Sequence, residues 1–113
     1  MVFMIYWYPE LYMDQTVARN PEKCKKRVER RRPWKKSYVA ITLAANEKNL
    51  FEIMETRQLF FRRYAMFDIF IVGLAADQES ARELLQQMVE NMWRDGRICH
   101  SNEFFERKKF VRL

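Results

Sequence analysis

Ten basic residues fall between Arg19 and Lys36 against two acids, Glu22 and Glu29, a local charge of +8 in a chain whose total is +6. Lys23, Lys25, Lys26, Arg27, Arg30, Arg31, Arg32, Lys35 and Lys36 have the chemistry of phosphate contacts, and Trp34 among them offers an aromatic face on which an unpaired base can stack. Clustered cations attract nucleic acid or an acidic protein surface over roughly a Debye length. A plainer role competes with this one: a solvated helix whose aliphatic stems cover a sheet while Trp34 and Tyr38 pack inward. The chain carries no aromatic RNP-type strand motif, GxxG loop or paired zinc knuckle that would name a recognition module.

A second constellation needs two strands to end together. If they run parallel, Thr42, Asn46 and Asn49 after one and Asp77 after the other border a crevice of the kind in which open α/β sheets bind ligands. Asp77 equally suits the simpler task of capping a helix.

The adjacent Cys99-His100-Ser101 pairs a thiol with a base, but sequence neighbours usually point apart and no third residue orients them, so no catalytic residue is expected. With one His and two Cys the chain also lacks the four ligands of a structural zinc site. Glu52 and Glu55, or Glu79 and Glu83, have the spacing of ordinary charged helix faces. No metal or cofactor is expected, and Cys24 and Cys99 read as free thiols.

The elements that position these groups follow from apolar spacing. Residues 2 to 8 are aromatic and β-branched and predict a strand ending at Pro9, with Leu11 to Val17 available to extend it as an edge or return segment. Asn20-Pro21-Glu22 predicts a helix start: Asn caps free amides, Pro fits the first turn, and Glu complements the positive end of the dipole. That helix runs to about Arg32, is stopped by Pro33, and has only Cys24 and Val28 as an apolar face, so it lies on the surface.

Tyr38 to Ala44 and Asp68 to Ala75 are runs apolar on both faces, which predicts two central, parallel strands covered by helices. Between them Leu50, Ile53, Met54, Phe60, Phe61 and Tyr64 share a helical stripe, although Phe51 to Met54 also suits a short extended piece. Ala81, Leu84, Leu85, Met88, Val89, Met92 and Trp93 predict a buried-face helix, capped by Asp77 and ended at Gly96. Phe104, Phe105, Phe110 and Val111 make the 97 to 113 tail too apolar to be free, predicting a docked short helix or strand that frays beyond.

Tyr38-Val-Ala-Ile-Thr-Leu-Ala-Ala-Asn46, Asn49-Leu-Phe-Glu-Ile53 and Ile71-Val-Gly-Leu-Ala75 leading into Glu79 to Leu85 together resemble a small family of α/β proteins from Gram-positive anaerobic bacteria with no assigned activity. The resemblance covers roughly residues 38 to 96, implies a small α/β fold, carries over no functional residue, and leaves the basic segment outside it.

The expectation is one α/β domain over residues 1 to 113, in the order β-α-β-α-β-α, with a basic surface helix at 19 to 36. Nearly half the residues are hydrophobic, too many for a disordered chain, while the longest uncharged run is far below the ~20 residues of a membrane span. The N-terminus lacks a basic leader and a cleavage site, which predicts a cytoplasmic protein. The leading functional expectation is a non-enzymatic interaction module that self-associates, as a homodimer, through leftover aromatic and edge surface. The alternative is nucleic-acid binding through 19 to 36, and the third is a small enzyme with the Thr42–Asp77 crevice.

Overall fold

The computed structural model describes residues 5–30, 38–43, 51–56, 68–96, 105–106 and 109–112. In chain order these form β1 (Ile5–Met13), α1 (Gln15–Ala18), α2 (Pro21–Arg30), β2 (Val39–Leu43), β3 (Phe51–Glu55), β4 (Ile69–Ala75) and α3 (Gln78–Arg94). The four strands make one mixed sheet in the order β1-β4-β2-β3. The radius of gyration, 13.3 Å, is that of one compact domain of this length.

Both faces of the sheet are covered. On one, Val17 of α1 and Cys24 and Val28 of α2 pack with Ile5, Trp7, Leu11, Ile69, Ile71 and Leu74. On the other, Ala81, Leu84, Met88 and Met92 of α3, with Phe105 and Phe110, pack on Val39, Ile41, Leu43, Val72 and Ala75. At roughly 1.5–3 kcal/mol for each fully buried large apolar side chain, these two layers are the main stabilising term.

The expected alternation of strands and helices is not what forms. Phe51–Glu55, within the stretch assigned to a crossover helix, takes the extended alternative and is the edge strand β3, antiparallel to β2; the rest of that stretch, including Leu50, Phe60, Phe61 and Tyr64, lies outside the described residues. β2 and β4 are central neighbours but run antiparallel, with Val39 opposite Ala75 and Ile41 opposite Gly73. The parallel pair is β1 with β4. The continuous apolar runs of β2 and β4 reflect burial on two faces, and in a helix-covered sheet an antiparallel strand acquires that pattern as readily as a parallel one.

Pro9 does not end the first strand. β1 advances from Trp7 to Tyr12 while β4 advances only from Ile71 to Gly73, so the chain bulges around Pro9, which has no N–H to give a ladder. A second bulge falls at Val72: Ile41 faces Gly73 but Thr42 faces Ile71. Its trace in the sequence is the step of three between Ile71 and Leu74 on one face and between Val72 and Ala75 on the other.

The turn from β1 into the helices is fixed by Asp14. Its carboxylate accepts from the Val17 N–H at 2.8 Å, capping α1, and from the Ala76 N–H at 2.8 Å, tying that cap to the end of β4. At the C-terminal side, Trp7 and Val111 exchange backbone hydrogen bonds of 2.7 and 2.9 Å, so the outer edge of β1 is met by the tail. Among the described residues no helix is long and apolar enough to cross a membrane.

Candidate nucleic-acid interface

The basic helix is built around its N-terminus. Asn20 Oδ1 accepts from the Lys23 N–H at 3.3 Å, Pro21 opens the first turn, and Glu22 follows within it. With Cys24 and Val28 turned to the sheet, the helical repeat divides the remaining charges between two flanks.

One flank is spent on the core. Trp7, 1% exposed, donates its indole N–H to Glu29 Oε1 at 2.8 Å. The Lys25 ammonium lies 5.8 Å from the centre of that ring, within cation–π reach, and 3.8 Å from Glu22. A buried indole N–H without an acceptor costs about 1–3 kcal/mol, which gives Glu29 its structural role inside the most basic stretch of the chain.

The opposite flank faces solvent. Lys23, Lys26, Arg27 and Arg30, at i, i+3, i+4 and i+7, line with Asn20 and Glu22 an open groove of about 460 Å³. Lys23, Lys26 and Arg30 are exposed, whereas Arg27 is half-buried and donates from a terminal guanidinium nitrogen to the Tyr38 hydroxyl at 3.1 Å. Tyr38 is itself 2% exposed. Burial first, and then a hydrogen bond with Cys24, push its hydroxyl above the usual tyrosine range against the opposing pull of Arg27, so it stays neutral and able to accept. The Tyr38 backbone is fixed in turn: its N–H reaches Thr56 Oγ1 at 2.9 Å, and its carbonyl accepts from the Thr56 N–H at 2.8 Å.

Of the residues assigned to phosphate binding from the sequence, Lys23, Lys26, Arg27 and Arg30 come together, while Lys25 is turned to Trp7. Arg31, Arg32, Trp34, Lys35 and Lys36 lie outside the described residues. The anchoring of Arg27 by Tyr38, eleven residues away, has no local signal. The partition of Lys25 and Glu29 from the groove was available from their i, i+4 spacing and the buried positions between them.

Thr42 and Asp77 do not border a common crevice. Because β2 and β4 run antiparallel, Thr42 is level with Ile71 whereas Asp77 follows Ala75, which is level with Val39; the three-residue rise from Val39 to Thr42 alone is about 10 Å. Thr42 is buried, and its hydroxyl donates to the Glu52 carbonyl at 3.5 Å. Asp77 caps α3, accepting from the Ser80 N–H at 2.8 Å. Asn46 and Asn49 lie outside the described residues, as do Cys99, His100 and Ser101. Glu52 and Glu55 lie on a strand, where a spacing of three sends side chains to opposite faces. Among the described residues no cluster of three or more His, Cys, Asp or Glu side chains has the arrangement of a metal site.

Comparison with family models, with curated proteins and with solved structures returned no match, which leaves the groove to be interpreted from its own chemistry.

Proposed function

We propose that this protein binds nucleic acid by gripping its phosphate backbone with the outward flank of α2. The observation that carries the reading is the single row of Lys23, Lys26, Arg27 and Arg30 along an open groove, with Glu22 the only acid among the described residues that line it. From residue 23 to residue 30 a helix rises about 10 Å. One strand of a duplex presents a phosphate about every 3.4 Å of axis, so a row of that length spans about three phosphate intervals, or four phosphates. Binding of this kind is electrostatic and indifferent to base sequence.

The test is an anisotropy titration of labelled duplex DNA at 50 and 200 mM salt. Four cations on duplex phosphates give a log–log slope near −3.6, a loss of about 150-fold across that range. Replacing Lys26 or Arg30 by Gln is expected to bring the slope about 0.9 closer to zero for each charge removed. Failure of the protein to bind saturably at 50 mM salt would refute the reading.

Self-association is a second reading, favoured by Trp93, 72% exposed in the last turn of α3. A native mass near twice 13.9 kDa that survives high salt would support it, and a mass near 13.9 kDa at all concentrations would refute it.

A further inference from the structure

The four groove cations are not equivalent. Lys23, Lys26 and Arg30 are exposed and carry long, rotatable stems, whereas Arg27 is half-buried and hydrogen-bonded to a buried tyrosine. A guanidinium has five N–H donors in a rigid fork, and the Tyr38 hydroxyl occupies one of them. The remaining donors belong to a side chain that already lines the groove in a fixed position.

Ordering a free arginine on a ligand loses rotamer entropy, whereas the hydrogen bond to Tyr38 orders this one within the folded protein before any ligand arrives. The anchor is firm because Tyr38 stands at the entry to central strand β2, closed to the end of β3 by Thr56.

Resting on the proposed function, we infer that Arg27 is a pre-set phosphodiester clamp, offering a planar fork to two oxygens of one phosphate, and that Tyr38 is its positioning residue. The exposed Lys23, Lys26 and Arg30 neutralise the neighbouring phosphates as mobile point charges. The ligand class that uses such a fork is the phosphodiester of a nucleic-acid backbone, since planar bidentate pairing distinguishes Arg from Lys at phosphate. Carboxylates accept the same fork, so a flexible acidic polypeptide is the competitor the experiment has to separate.

The experiment compares the wild type with Arg27→Lys and Tyr38→Phe, using the same duplex at 50 and 200 mM salt, and polyglutamate as a competitor. Arg27→Lys keeps the charge and loses the fork. It is expected to weaken binding about tenfold with the salt slope unchanged, a split that simple loss of charge would not produce. Tyr38→Phe keeps the packing and all four cations, and is expected to weaken binding about threefold, again at constant slope.

If Arg27→Lys binds as the wild type does, Arg27 is only a point charge and the inference falls, while salt-dependent binding by the wild type leaves the proposed function standing. Displacement of the duplex by polyglutamate at equal charge concentration also overturns it. A thermal melt confirms that each variant is folded, and if Tyr38→Phe fails to fold, Arg27→Lys alone decides.

Discussion

At the scale of single residues, this protein places charge where a neighbouring donor or acceptor requires it. Glu29 satisfies the Trp7 indole, Asp14 joins a helix cap to a strand end, and Asp77 caps α3. Asp77 accepts from the backbone N–H and from the side chain of Ser80, which holds its carboxyl below the ordinary value of 3.8. A carboxylate whose folded pKa is depressed contributes stability that is fully present above the ordinary value and is lost as pH falls through the lowered one. Asp77→Ala is therefore expected to melt a few degrees below the wild type at about pH 6, with the gap closing as pH falls below about 4. Thermal melts of the two proteins across that range check it. A gap of constant size would mean that Asp77 acts through something other than its charge.

At the scale of elements, α2 and β4 show how one segment serves two neighbours. The buried pair Cys24 and Val28 commits only a narrow stripe of α2 to the sheet, which leaves one flank to hold Trp7 and the other to form the groove. β4 lies between β1 and β2, is bulged at Val72, and brings Gly73 beneath α3. A Cβ at Gly73 would stand 3.2 Å from Ile41 Cδ1 and 3.5 Å from Met88 Cε. Ile41 and Met88 are both fully buried and have little room to retreat. Gly73→Val is expected to destabilise the fold by about 1–3 kcal/mol through overpacking, measured by urea denaturation. A variant as stable as the wild type would show that α3 can lift from the sheet without cost.

For the whole molecule, closure depends on the C-terminal tail. Phe105 is fully buried and is a common neighbour of Tyr8, Phe51 and Tyr12, with ring centres 4.9, 5.8 and 6.3 Å away. Phe110 adds contacts to Tyr8 and Phe70, and Val111 pairs with Trp7, so residues distant in sequence are joined over one face of the sheet. Phe105→Ala is expected to cost about 3–5 kcal/mol and to promote association as the edge of β1 loosens, seen as a lower urea midpoint and a rise in light scattering. A loss below ~1 kcal/mol would show that the tail is an accessory to the fold. Much of this architecture was legible locally. Asn20 and Asp77 announce helix starts, and Gly96, with φ +72°, ends α3. The two runs apolar on both faces mark the central strands, because caps and burial periodicity are properties of adjacent residues. The direction in which β2 and β4 pair, the choice of strand over helix at Phe51–Glu55 between the two the residues allowed, the insertion of β4 beside β1, and the selection of Arg27 as the cation tied to Tyr38 were decided by the tertiary structure. Each depends on which distant segments meet, and a burial pattern records that a strand is covered without recording what covers it or which way its neighbour runs.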